Sequence, residues 1–262
     1  MRTKLAILSL VLLCFAVAGY GDDWNRAYQV NGRPQLVVDA DDGNVIVTRG
    51  NDNSVHLSVH SEGWRIAPGE IEISGQQQGN RVELTLRKHN TGLHVHFHTA
   101  LEIRVTLPEG SDMDVHTRDG NLRVNGIHGT HKLRTGDGNA EVRGTEGSLD
   151  LETGDGNLDI DGRFDVLSLR TGDGNIDAVV RSGSTMKSAW TVRTGDGNIQ
   201  IDLPSNFAAD LDAHTGDGRV TCDFQVAGAR ESEERNDLRG KINGGGQVLS
   251  VRSGDGSIEI RR

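Results

Sequence analysis

The sequence lacks most of the devices that hold small exported proteins together. Its 262 residues contain two cysteines, Cys14 and Cys222. Cys14 lies in an N-terminal apolar run, so the remainder carries one thiol and no intrachain disulfide. Aromatics are scarce, at 3 Trp, 2 Tyr and 5 Phe, which argues against a cleft lined with sugar-stacking rings. Past the N-terminal run no stretch of 18 apolar residues occurs, so no further segment is long enough for a membrane-spanning helix. Positive charge is also in deficit: 28 Lys and Arg face 38 Asp and Glu, a net charge of −10. Phosphate backbones and anionic membranes repel such a chain. We therefore expect no nucleic-acid partner and no stable membrane insertion.

Glycine is abundant, at 35 residues, beside only 4 prolines. Without a collagen period this indicates many tight turns. The first residues read as an address. Arg2 and Lys4 precede the apolar Leu5 to Val17, and Ala16-Val17-Ala18 is a small-x-small cleavage signal. We expect a signal peptide over 1–18 and a secreted or periplasmic product. Leu13 before Cys14 is a poor fit to a lipidation site.

After residue 110 one pattern recurs. Thr135-Gly136-Asp137-Gly138-Asn139 returns at Thr153 to Asn157, Thr171 to Asn175 and Thr194 to Asn198, with variants around Asp119, Asp217 and Asp255. The aspartates of the first four copies, 119, 137, 155 and 173, are 18 residues apart, and later steps are irregular. Aligned on the turn, Leu122, Ala140, Leu158 and Ile176 form one apolar column and Val124, Val142, Ile160 and Ala178 a second. Polar residues separate them, as in a half-buried strand. His131, Leu149, Leu167 and Trp190 lead a matching strand before the turn, followed two residues on by Leu133, Leu151, Leu169 and Val192.

A strand of this kind buries its inner face only inside a coil, so equivalent residues must stack. The expected fold is all-β: a single-stranded β-helix or β-solenoid with rungs of about 18 residues. In the turn, Gly is expected to supply positive φ and Asp to bond local amides as an Asx-turn. Thr and Asn are expected to bond their copies on adjacent rungs. The alternating runs over 35–110 suggest a β region that starts and caps the coil. Residues 19–34 read as a linker or tail. The repeat occupies 111–262, with a charged, Gly-rich insertion at 225–247 expected as a surface loop or short helix.

Three residue groups are candidates for chemistry. Asp137, Asp155, Asp173 and Asp196 form a carboxylate ladder that could take Ca²⁺, although Ca²⁺ needs six to eight oxygens and only one turn per rung carries Asp. His94, His96 and His98 share one strand face and are candidate Zn²⁺ or Ni²⁺ ligands. Glu141, Asp159 and Asp177 form an acidic outer column, the arrangement a glycosidase would use. Each has a plainer reading, as turn structure, polar strand edge or solvated face. Cys222 and His131 fall in inner columns, and Arg134, Glu152 and Arg170 form an outer ladder read as charge pairing between rungs.

The run Ile103 to Pro108, then Met113 to Asn121, then the Thr-Gly-Asp-Gly-Asn blocks, resembles the bacterial β-strand-repeat domain of unknown function labelled "putative adhesin". The resemblance spans roughly residues 35 to 262. It implies an envelope-exposed or periplasmic repeat domain and brings no catalytic motif. The expectation is an exported, non-enzymatic interaction or structural module with a glycan or protein partner. The alternatives are a carbohydrate-active enzyme on a β-helix, or a metal-binding envelope sensor.

Overall fold

The structure, a computed structural model, describes residues 21–89, 99–232 and 235–262. The expected signal peptide and the candidate metal ligands His94, His96 and His98 lie outside the described residues. The N-terminal third holds β1 (Gly21–Gln29), β2 (Gln35–Ala40), β3 (Asn44–Arg49), β4 (Ser54–Glu62), β5 (Ile71–Gln78), β6 (Arg81–Lys88) and β7 (Ala100–Leu107). The repeat continues as β8 (Asp112–Thr117), β9 (Leu122–Asn125), β10 (His128–Thr135), β11 (Ala140–Thr153), β12 (Leu158–Arg170), β13 (Ile176–Val180), β14 (Trp190–Arg193), β15 (Ile199–Asp202), β16 (Ala209–Thr215) and β17 (Val220–Cys222). It ends with β18 (Val226–Glu231), β19 (Asp237–Ile242), β20 (Val248–Ser253) and β21 (Ile258–Arg261). The chain is all-β, with no helix among the described residues.

All strands belong to one open, solenoid-like sheet of 21 strands. Each coil has two long sides meeting at the Gly-Asp-Gly turn. The long strands β11 and β12 bend through a short third side, where Thr145 and Phe164 point inward and are buried. Parallel register follows the repeat: Leu133 pairs with Leu151, Leu151 with Leu169, and Ala140 with Leu158. Alternation therefore places Val115, Leu133, Leu151, Leu169 and Val192 in one unbroken buried column. Each such aliphatic side chain contributes roughly 1.5–3 kcal/mol of burial.

Spatial order departs from chain order at both ends. The last rung of the chain does not lie at the end of the stack. β20 lies between β14 and β16, and β21 between β15 and β17. Likewise β2 lies between β6 and β8, and β3 between β7 and β9. The first and last rungs of the chain are thus internal. Antiparallel strands cover the outside: β1, β4 and β5 at one end, β18 and β19 at the other.

Two segments differ from the sequence reading. The expected linker at 19–34 contributes β1, anchored by Trp24 and Tyr28 against Gly75 of β5 and by His60 Nδ1 on Asp23 at 2.6 Å. The expected loop or helix at 225–247 is mostly the β18–β19 hairpin. An end rung exposes a row of unpaired amides and carbonyls, and this hairpin satisfies one such row.

Candidate contact surface

The corner ladder is built from backbone approach. Gly138 stacks on Gly120, Gly156 on Gly138 and Gly174 on Gly156, and a Cβ on any of them would collide with the carbonyl oxygen of the neighbouring turn. None of Gly136, Gly138, Gly154, Gly156, Gly172 or Gly174 has positive φ, which corrects the expected reason for glycine here. Positive φ occurs instead at the looser bends, as at Gly126 and Gly144.

Hydrogen bonding in the turn also differs from expectation. The Thr hydroxyls, buried inside the corner, donate to carbonyls of the neighbouring turn rather than to each other. Thr153 Oγ1 donates to the Gly138 carbonyl at 2.8 Å, and Thr171 Oγ1 to the Gly156 carbonyl at 2.8 Å. Ser253 does the same to Gly197 at 2.8 Å. The Asn ladder is as expected: the amide of Asn139 donates to Asn121 Oδ1 at 2.9 Å, Asn157 to Asn139 at 2.8 Å and Asn198 to Asn175 at 2.8 Å.

The aspartate side chains take no part in this network, which corrects the Asx-turn assignment. Asp137, Asp155, Asp173 and Asp196 are exposed, and their carboxylates have no hydrogen-bond or ion-pair partner among the described residues. Among those residues, no group of three or more His, Cys, Asp or Glu is arranged to hold a metal ion. Thr, Gly and Asn each have a structural task in the turn, and Asp has none.

The outer column of the second side runs Arg123, Glu141, Asp159, Asp177 across β9, β11, β12 and β13. Arg123 Nε donates to Glu141 at 2.8 Å and Arg143 Nε to Glu141 at 2.9 Å, while Arg143 also pairs with Asp159. The hydrogen bonds from Arg123 and Arg143 hold the Glu141 carboxyl below the usual range. A glycosidase acid needs the opposite shift. The same face carries an open groove of ≈ 460 Å³ between the Asn ladder and these charges, bordered by Asn44, Glu102 and Asn121.

Two inner-column residues behave unlike their neighbours. His131 is 1% exposed, and neither ring nitrogen has a hydrogen-bond partner among the described residues. It stands between Met113 and Leu149 in register, within the buried column. Burial pushes its pKa down to about 4. Cys222 sits near the end of the stack and is only half-buried. Desolvation pushes its thiol up, so it is a poor nucleophile.

On the first side the expected charge pairing holds in part. Arg134 Nε meets Glu152 at 3.4 Å, but Arg170 turns to Asp150 at 3.4 Å and to Ser168 Oγ at 2.8 Å. Chain order conceals the neighbour of Arg193 on this side. Arg252 pairs with it in register, although 59 positions separate them in the numbering and His214 lies between them in the chain.

Solved structures with a similar course have low sequence identity. A "putative cell adhesion protein" of Clostridium sporogenes is 15% identical with a TM-score of 0.41, covering 92% of this chain and 99% of its own. A "putative adhesin" of Bacteroides fragilis is 12% identical with a TM-score of 0.44, covering 91% and 97%. A "putative lipid binding protein" of Parabacteroides distasonis is 13% identical with a TM-score of 0.35, covering 93% and 98%. No curated protein matches the chain. The Toastrack DUF4097 family, a domain of unknown function, matches residues 103–261, more than half of the sequence, and the chain belongs to that family.

Proposed function

We propose that the chain is an exported, non-enzymatic module of the cell envelope whose outer faces serve as an adhesin-like contact surface, wound as a single-stranded β-helix of 18-residue rungs. One observation carries the reading. The corner aspartates repeat rung after rung although the fold makes no use of them. A feature that packing does not require, repeated at the strand spacing of about 4.8 Å, suits a partner that is itself repetitive. Ladders of this kind give many weak contacts rather than one deep site, and avidity supplies the affinity.

The test combines address and activity. Cell fractionation with N-terminal sequencing should return a processed chain starting at Gly19 in the periplasm or outside. The purified chain should be retained by envelope glycans or surface proteins and release no reducing sugar from any glycan it binds. A cytoplasmic, unprocessed chain would overturn the envelope reading. Sugar release abolished by Asp159→Asn or Asp177→Asn would overturn the non-enzymatic one.

A further inference from the structure

The tucked last rung creates a surface that no contiguous sequence encodes. β12, β14 and β20 are neighbours on the first side, and their outward residues fall into register. Ser168 pairs with Thr191 and Thr191 with Ser250; two residues on, Arg170 pairs with Arg193 and Arg193 with Arg252. Three guanidinium groups and three hydroxyls therefore stand in two parallel rows. Two residues before the hydroxyls lie Val166, Ala189 and Val248, the last 43% exposed. None of these nine residues is acidic, in a chain that carries 38 acidic residues. The neighbouring rungs restore carboxylates at once, with Asp150 and Glu152 on one flank and Asp212 on the other.

The central arginine stands out. Arg170 is engaged with Ser168 and Asp150, and Arg252 with the Asp212 carboxylate and carbonyl. The Arg193 side chain is exposed and has no partner among the described residues, nor do the hydroxyls of Thr191 and Ser250. Two like charges flank Arg193, each about one strand spacing away. The guanidinium keeps its full set of donors in a planar fork matched to a carboxylate. The corner aspartates Asp173, Asp196 and Asp255 lie three residues further on, past an inward-pointing Thr or Ser, and none reaches an arginine of this row. Acidic groups farther off are screened beyond a Debye length of about 8 Å.

We propose that this patch binds an anionic glycan, a uronic-acid polymer laid across β12, β14 and β20. Its carboxylates would meet Arg193 and its flanking arginines, and its ring hydroxyls would meet Thr191 and Ser250. An extended pyranose chain advances per sugar by close to one strand spacing, so successive sugars fall on successive rungs. Val166, Ala189 and Val248 offer apolar side chains to the apolar edge of the rings. An acidic protein segment satisfies the arginine row equally but makes less use of a hydroxyl row at fixed spacing. The proposal rests on the contact-surface reading above and names its ligand class.

The test titrates the mature chain with size-fractionated oligogalacturonate, its methyl-esterified neutral form, free galacturonate and polyglutamate. Oligogalacturonate should bind, weaken steeply with added salt, and lose about tenfold in affinity with Arg193→Ala. Arg193→Lys should recover part of that loss, because charge remains while the fork is gone. Arg81→Ala, far away at the N-terminal end, should change nothing. Arg193 has no side-chain partner among the described residues, so its variants should melt with the wild type. Thr191→Val offers an independent reading of the hydroxyl row and should also weaken binding. Equal affinity of wild type and Arg193→Ala would overturn the proposal, as would equal binding of the esterified form. Binding of polyglutamate alone would overturn it in favour of an acidic protein partner, and binding of free galacturonate as tight as the oligomer in favour of a simple anion site. If the esterified glycan binds and Arg193 is irrelevant, the contact-surface reading survives without this patch. If envelope glycans and proteins also fail to bind, that reading falls with it.

Discussion

The carbonyl oxygen of Gly138 occupies the space that a Cβ on Gly156 would need, and the hydroxyl of Thr153 donates to that same carbonyl at 2.8 Å. Backbone stacking and side-chain bonding at the corner are therefore one arrangement. Glycine permits the approach, and threonine satisfies the carbonyl that the approach buries.

Gly156→Ala should destabilise the chain by about 3 kcal/mol or more, because backbone on both sides blocks relief. Gly144→Ala should cost only about 1 kcal/mol. Its φ is +60°, but the nearest atoms to a Cβ there lie at 3.9 Å. Urea unfolding of the two variants separates steric exclusion from conformational preference. Equal losses would contradict the distinction.

Thr153→Val should cost about 1–2 kcal/mol by leaving a buried carbonyl unbonded. Thr153→Ser should cost well under that, since Ser253 makes the equivalent bond at 2.8 Å. Asp155→Asn should leave the melting temperature unchanged or slightly raised, because it removes only an unpartnered charge from a like-charged ladder. A large loss on Asp155→Asn would assign the aspartates a structural task after all.

His131 should govern part of the acid limb of stability. Folding favours its neutral form, with a pKa of about 4 against an ordinary value of 6.5. The unfolded chain therefore binds the extra proton, and stability falls as pH drops from about 6.5 towards 4, by roughly 3 kcal/mol in all. His131→Leu matches Met113 and Leu149 beside it and should flatten this window while raising the melting temperature. Urea midpoints at pH 7 and pH 4.5 check both effects. An unchanged pH dependence in the variant would remove His131 from the account.

A chain ending at Gly246 should lose most of its stability, on the order of 5 kcal/mol. In a stack ordered by sequence, such a truncation would only fray one end. Here it removes β20 and β21 from between β14, β15, β16 and β17. Calorimetric melting of the truncated chain distinguishes these cases, and a small, local loss would contradict the tucked order.

The legible part of the fold is the local part. Thr-Gly-Asp-Gly-Asn and the alternation after Leu122 and Leu158 settled strand, turn and buried column, because a period of two and a repeat of 18 residues are properties of neighbours in the chain. The Asn ladder was legible for the same reason. The task of glycine in the turn was not, since Gly156 is required by a carbonyl 18 residues away and not by its own φ. Nor could the sequence show that His131 is sealed in the core without a partner.

The sequence by itself determined an all-β coil with its inner and outer faces. Tertiary structure alone decided the order of the rungs. Parallel pairing depends only on matching columns, and every rung offers nearly the same columns, so the repeat leaves open which rung lies beside which. The end hairpins and the two tucked rungs make that choice, and with it they bring Arg252 beside Arg193.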